Sequence, residues 1–284
     1  MTSREEALKR REAIKKMIEI EKKIAENLKN VKYKVAIISG KGGVGKSTVA
    51  ANLAVALVLK GYKVGLFDTD FHGPSIPKML GVEGKYVMAT PDKKLVPVEG
   101  PLGIKIMSIA FFLPNPTAAV IWRGPLKKKF FDEVAASTIW GDLDFILFDL
   151  PPGTGDDQLN LVQSIKDLTG LIAVTQPSDV STLAVAKAID FAKKTKTRVL
   201  GVIENMSYFK CPNCGTVYKI FSGEGGEYLS TTHSIPLLGK IPIDPRVAES
   251  GDSGYSILIN DPESELAKIF SDIADKVVEL VKKS

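Results

Sequence analysis

The stretch Gly40-Lys41-Gly42-Gly43-Val44-Gly45-Lys46-Ser47 fits the pattern G-x-x-x-x-G-K-[ST] and dictates what the surrounding chain must build. Val35-Ala36-Ile37-Ile38-Ser39 before it is an apolar run that reads as a buried strand, and residues 48–60 carry apolar side chains at helical spacing. A strand, a glycine-rich loop and a helix in that order aim backbone N–H groups at a helix N-terminus, where they form a concave cradle for phosphate. The glycines at 40, 42, 43 and 45 permit the tight turn. Lys46 is placed to neutralise β- and γ-phosphates, Ser47 to offer its hydroxyl to Mg²⁺, and Thr48 to meet the α-phosphate region. The chain is therefore expected to bind a nucleoside triphosphate.

A phosphate loop needs a carboxylate to complete a magnesium site. Asp144-Phe145-Ile146-Leu147-Phe148-Asp149 is an apolar strand ending in one, so Asp149 is the expected Mg²⁺ partner, through water. The following Leu150-Pro151-Pro152-Gly153-Thr154-Gly155-Asp156 reads as a switch loop that senses the γ-phosphate. A third acidic strand end, Phe67-Asp68-Thr69-Asp70, leads into Phe71-His72-Gly73-Pro74-Ser75, and Asp70 is the candidate for positioning the attacking water.

A chain of 284 residues with 44% hydrophobic side chains suits one large α/β domain. Apolar strands predicted at 35–39, 64–67, 104–109, 145–149, 171–175, 199–203 and 236–238 alternate with helices, implying a mainly parallel sheet covered on both faces. The predicted fold is thus the three-layer phosphate-loop NTPase architecture. Residues 82–103 and 111–126 read as irregular insertions, 206–235 as a long excursion, and 262–283 as a final amphipathic helix. Residues 1–32 are expected to form a charged helical arm, with apolar side chains recurring from Leu8 to Leu28, and 33–284 the ATPase domain. The net charge of +5 resides at the N-terminal end, in the arm and the two residues after it: residues 1–34 hold eleven Lys/Arg against six Glu, leaving twenty-seven of each sign elsewhere. The arm is expected to be solvated or packed rather than to grip an acidic partner. With no signal peptide and no run of about eighteen apolar residues, the expected location is cytoplasmic.

Two cysteines in so long a chain do not make a disulfide scaffold. Cys211-Pro212-Asn213-Cys214-Gly215 has the spacing by which two thiolates share one metal, yet the chain has no further cysteine, and its two histidines, His72 and His233, lie at no ligand spacing. A second copy of the chain is the simplest source of the missing ligands, giving a Cys₄ site on a twofold axis. Zinc and iron-sulfur clusters both want thiolates, and spacing does not separate them.

Taken in order, the loop with its extra lysine, the segment 67–75, the segment 149–156 and Cys211-x-x-Cys214 resemble the Mrp/ApbC iron-sulfur carrier ATPases, within the MinD/ParA class, over about residues 33–282. The resemblance implies that Lys41 reaches the partner subunit's nucleotide across a sandwich dimer. It implies that Asp70 activates water and that Asp149 serves the magnesium site. It further implies that Asn205 reads the adenine edge and that Ile241-Pro242-Ile243-Asp244 walls the base pocket. Cys211 and Cys214 would hold a labile [4Fe-4S] cluster between two subunits for delivery to apo-proteins. The short charged helix stands where relatives carry an extra domain or further cysteines, so a second, stable cluster is not expected.

The expected function is a homodimeric carrier in which ATP binding and slow hydrolysis gate an interface cluster, received from a donor and passed to client apo-proteins. The alternatives are a ParA-like or MinD-like positioning ATPase and a zinc-clamped protein-targeting ATPase. A DNA binder should show a basic patch, whereas the body is neutral. A membrane form should end in a basic amphipathic helix, whereas 263–279 carries Glu263, Glu265, Asp272, Asp275 and Glu279. Neither nucleic acid nor membrane is therefore an expected partner.

Overall fold

The computed structural model describes residues 3–115, 124–153 and 155–283. Thr154 of the switch segment, residues 116–123 of the second insertion, the first two residues of the arm and the side chain of Leu8 lie outside the described residues.

The chain opens with helix α1 (Ser3–Asn27), followed by β1 (Val31–Ser39), α2 (Lys46–Leu59), β2 (Val64–Asp68) and the short α3 (Ile76–Met79). Strands β3 (Met88–Ala89), β4 (Leu95–Val96), β5 (Val98–Glu99) and β6 (Lys105–Ser108) lead to α4 (Gly124–Ser137) and β7 (Leu143–Asp149). Next come α5 (Asp156–Ser164), β8 (Gly170–Thr175), α6 (Asp179–Lys194) and β9 (Val199–Glu204). The ribbon β10 (Phe209–Lys210) and β11 (Val217–Tyr218), then α7 (Gly225–His233), β12 (Leu237–Lys240), α8 (Pro245–Ser253), α9 (Ile257–Asn260) and α10 (Glu265–Lys282), complete the described chain.

Eight strands form one sheet in the order β12-β9-β8-β1-β7-β2-β6-β5, parallel except where β5 runs against β6. Alternation along β1 shows why both faces must be covered. Val35 and Ile37 pack toward α2 and α10, while Ala36 and Ile38 pack toward α1, α4, α5 and α6. All four are buried, so a single strand supplies two cores, as a parallel sheet between helical layers requires. The fold is the expected three-layer arrangement.

Several boundaries differ from the sequence reading. Strand β1 begins at Val31, inside the expected arm, where Val31 pairs with Leu143 of β7; the buried Lys34 within it is satisfied by Val31 O (2.9 Å) and Asp167 (2.8 Å). The arm helix ends at Asn27, and its C-terminal part is packed: Ile24 and Leu28 are buried, and Asn27 Nδ2 donates to Ala135 O and Thr138 O, both at 2.7 Å, beside α4. Ile14, Met17 and Ile18 farther back stay exposed. The first insertion is not wholly irregular, since it supplies β3, β4 and the edge strand β5. The excursion at 206–235 likewise contains a ribbon and the helix α7.

Candidate functional site

The central position of β1 puts the phosphate loop between the carboxyl ends of β7 and β8, the place where an open α/β sheet receives ligands. Gly43 and Gly45 both take left-handed backbone conformations, at φ 80° and 79°. Gly40 is required for another reason: a Cβ there would lie 2.2 Å from the Ala184 carbonyl carbon, so the backbone of α6 is pressed against the loop.

Lys46, Ser47 and Asp149 meet at the head of α2. Lys46 Nζ donates to Asp149 Oδ1 at 2.6 Å and to Ser47 Oγ at 3.1 Å, and Ser47 Oγ donates to Asp149 Oδ2 at 2.6 Å. Lys46 and Asp149 are buried. Burial raises the Asp149 pKa, against the opposing pull of the Lys46 ammonium and its hydrogen bond and of the Ser47 hydroxyl. A hydroxyl and a carboxylate side by side are hard oxygen donors of the kind Mg²⁺ takes, so the residues fit that ion.

Asp68 lies next in this acidic row. It is buried, accepting from Ser108 Oγ (3.1 Å) and from the Asp70 N–H (3.1 Å). Burial first, and then the Asp149 charge, push it up to about 8. Asp70 is half-buried, and its Oδ1 accepts the N–H groups of His72 (3.1 Å) and Gly73 (3.2 Å), which holds the carboxylate at the start of the 70–75 loop. Thr69 fastens that loop to β7 through its N–H and hydroxyl, both to Asp149 O, at 2.9 and 2.8 Å. The Pro-Pro-Gly segment sits against the phosphate loop, with Gly153 N donating to Ser39 O at 2.9 Å and Gln158 Nε2 tying Pro151 O at 2.8 Å.

Lys41 is half-buried, and among the described residues its ammonium makes no hydrogen bond or ion pair. Thr48 lines a cavity of about 590 Å³ between α2, α3 and α8. Gly45, Asn205, Pro242, Ile243 and Asp244 line the same cavity, so the residues expected to surround a base do come together. Asn205 Nδ2 donates to Val44 O at 2.9 Å, which points the amide along the loop. Asp244 caps α8 by accepting the Arg246 N–H at 2.9 Å and is held below the usual carboxylate range: hydrogen bonds from Arg246 and its charge outweigh the raising effect of burial, itself the largest single influence. Gln176 was not foreseen from the sequence. Its amide reaches Gly43 O at 3.2 Å and Met206 Sδ at 2.8 Å, bracing the loop from the end of β8.

The cysteine pair occupies the tip of the β10–β11 ribbon. Cys211 N donates to Thr216 O and Gly215 N to Cys211 O, both at 2.9 Å, with Gly215 left-handed at φ 72°. This knuckle leaves Cys211 half-exposed and Cys214 exposed. Hydrogen bonding with the Thr216 hydroxyl, 3.2 Å away, then with its backbone and with Cys211, lowers the Cys214 pKa. No group of three or more His, Cys, Asp or Glu side chains able to hold a metal exists among the described residues. His233 ends α7, 3.4 Å from Lys193 Nζ, and His72 is exposed beside Asp70, so neither joins the cysteines.

The family model for the NUBPL iron-transfer P-loop NTPases matches residues 30–278. An iron-sulfur cluster carrier protein of Saccharolobus solfataricus is 47% identical over 262 residues, covering 92% of this chain and 88% of its own. A nucleotide-binding protein of Archaeoglobus fulgidus, solved in complex with ADP and with Co found, superposes with a TM-score of 0.76 at 39% identity, covering 88% of this chain and 96% of its own. The cell division ATPase MinD of Pyrococcus furiosus follows the same fold at a TM-score of 0.67 and 27% identity, over 88% of this chain and all of its own. With the phosphate loop, the acidic row and the cysteine knuckle in one architecture, the chain belongs to the NUBPL iron-transfer P-loop ATPases, the family of the iron-sulfur cluster carriers.

Proposed function

We propose that the protein works as a homodimer that holds an iron-sulfur cluster, of the [4Fe-4S] type, on Cys211 and Cys214 of two subunits and passes it to apo-proteins under the control of ATP. The observation that carries this reading is the knuckle itself. Two thiols are presented outward on a ribbon tip, with one of them biased toward the thiolate, and the described residues offer no third ligand. A cluster that wants four thiolates is then completed by a second copy of the same tip.

ATP is the substrate of the other half of the site. Residues 40–47 cradle its phosphates, Lys46 neutralises them, Thr48 meets the α-phosphate region, and the amide of Asn205 with Pro242, Ile243 and Asp244 surrounds the base. The ADP bound by the Archaeoglobus fulgidus protein supports this assignment. Ser47 and Asp149 would hold Mg²⁺, which supplies charge neutralisation at the phosphates. Asp70, held at the mouth of the acidic row, orients the attacking water. The Lys41 ammonium, which has no partner among the described residues, reaches toward the nucleotide of the second subunit. Slow hydrolysis then alternates two dimer states with different exposure of the cysteines.

Donor and client proteins of the cluster and a cytoplasmic location belong to the same proposal, as does the division into an arm at 1–32 and an ATPase body at 33–284. Among the described residues no helix is long and apolar enough to cross a membrane. The test is iron, acid-labile sulfide and zinc per dimer after strictly anaerobic purification, beside a Cys211→Ala variant. Iron and sulfide near one cubane per dimer, lost in the variant, are expected. Stoichiometric zinc without sulfide after attempted reconstitution would overturn the reading in favour of a zinc-clamped targeting ATPase.

A further inference from the structure

Glu204 ends β9 with its carboxylate buried, at 1% exposure, and with both oxygens engaged. Oε1 accepts from Ser207 Oγ at 2.5 Å, and Oε2 accepts from the Gly226 N–H at 2.6 Å. Ser207 stands just before the cysteine ribbon, and Gly226 follows it in the first turn of α7. One carboxylate therefore closes the two ends of the segment that presents Cys211 and Cys214. The position suits the charge, because the open N–H groups of a helix's first turn favour an anion.

Both ends of that segment also touch the nucleotide site. On the leading side Asn205, the neighbour of Glu204, donates to Val44 O in the phosphate loop, and Met206 takes a left-handed conformation at φ 55°. Ser207 N donates to Ile241 O at 2.8 Å, and Ile243 N donates to Tyr208 O at 2.6 Å, joining the ribbon's base to the wall of the base cavity. On the trailing side Gly223 N donates to Pro177 O at 2.9 Å. A Cβ on Gly225 would come 2.3 Å from Thr182 Oγ1, and one on Gly226 2.8 Å from Glu204 Cβ, so this stretch is seated without slack beside Gln176, the residue that braces Gly43.

We infer that Glu204 is a positioning residue that makes the geometry of the cysteine pair follow the occupancy of the nucleotide cavity. A shift of Asn205 or of the 241–243 wall on nucleotide binding moves one side of the ribbon, and the Glu204 clasp obliges the other side to move with it. The inference rests on the nucleotide and cysteine assignments above, but not on which metal the cysteines carry.

The test is the alkylation rate of Cys211 and Cys214 by iodoacetamide in the metal-free full-length protein, with and without Mg²⁺ and ADP, read by mass spectrometry. Wild type is expected to change its rate about fivefold on adding ADP, the lower range of an ordinary coupling between sites. In Glu204→Gln the amide oxygen can still accept from Gly226 N–H and the amide NH₂ can donate to a rotated Ser207 hydroxyl, so the clasp keeps its partners but loses the charge that strengthens both bonds; ADP affinity is expected within about threefold of wild type while the ADP-dependent change falls toward unity. Ser207→Ala removes one bond without altering a charge and is expected to reduce the response part of the way, which keeps the test decisive if the glutamine variant folds poorly. Unresponsive wild-type cysteines, a full response in both variants, or loss of ADP binding together with the response would each overturn the inference. Because alkylation needs no cluster, its outcome is separate from that of the iron and sulfide measurement.

Discussion

Alanine substitutions at Gly43 and Gly45 separate the cost of backbone conformation from the cost of contact within one loop. The two glycines have nearly the same left-handed φ, 80° and 79°, but different surroundings. Nothing lies within 4 Å of a Cβ on Gly43, whereas one on Gly45 would fall 2.2 Å from Asn205 Nδ2, far inside contact distance. Left-handed backbone costs an alanine about 1–2 kcal/mol at either position. Only Gly45→Ala also drives the Asn205 amide off Val44 O, forfeiting a hydrogen bond worth about 1 kcal/mol and leaving buried polar atoms to find new partners at about 1–3 kcal/mol. Urea unfolding of the nucleotide-free protein should therefore show Gly45→Ala to be the more destabilising by roughly 1–3 kcal/mol. The double variant Gly45→Ala/Asn205→Ala makes the comparison strict, because without the amide the substitution at 45 should cost only what it costs at 43. If Gly45→Ala is equally damaging with and without Asn205, the contact is not the cause and the reasoning fails.

Leu28→Ala, at a buried site just after α1, should cost about 2–4 kcal/mol in urea unfolding, while Ile14→Ala on the exposed part of α1 should cost under about 0.5 kcal/mol; equal effects would mean that the arm is not docked as described. Lys46→Ala leaves the buried Asp149 without its cation and should lower the stability of the nucleotide-free protein, whereas Lys41→Ala should leave that stability unchanged and abolish ATPase activity of the dimer; a stability loss at Lys41 would refute its assignment across the interface. Asp68, raised to about 8, holds a proton in the folded state that it has lost in the unfolded state above about pH 4, so its contribution to stability is full at low pH and declines as pH rises toward 8. The decline can reach about 1.4 kcal/mol per pH unit, and Asp68→Asn should remove it; identical pH slopes for variant and wild type would exclude a protonated Asp68.

What was legible in the sequence followed from strong local pattern. The apolar run before the phosphate loop, the acidic ends of β2 and β7 and the Cys-x-x-Cys spacing each state their chemistry within a few residues. What was hidden depends on partners distant in the chain. The helix α7 begins Gly225-Gly226, which propensity reads as a break, yet the close approach of Thr182 and Glu204 leaves room for nothing larger. The first residues of β1 were obscured by Lys32 and Lys34, because a buried lysine reads as surface until Asp167 and Val31 O are known to receive its ammonium. Gln176 and Ser108 belong to no motif, and only the fold brings them to Gly43 and Asp68.

An apolar stripe with charges opposite is common to membrane-interface helices and to helices that cover a sheet, and the packing of the final helix bears on the choice independently of its acidic charges. In the fold the stripe is already spent. Leu266, Phe270, Ile273, Val277 and Val281 of α10 are buried in the core shared with α2, and Gly239 of β12 leaves the space that Ile273 fills. Lys276 Nζ donates to Leu238 O at 2.8 Å, and Lys60 reaches across to Asp275 at 2.7 Å, fixing the helix in register on the sheet. Moving α10 to a lipid surface would return its own apolar area to an apolar medium but leave the opposing face of α2, with Leu53 and Leu57, bare to water, at about 1.5–3 kcal/mol for each large side chain exposed. The outward side carries Glu265, Asp272, Asp275 and Glu279 among Lys268, Lys276 and Lys282, a nearly balanced face with none of the basic excess that anionic headgroups attract. A fold shared with MinD thus keeps its last helix in this chain as a structural layer packed on α2 and the sheet.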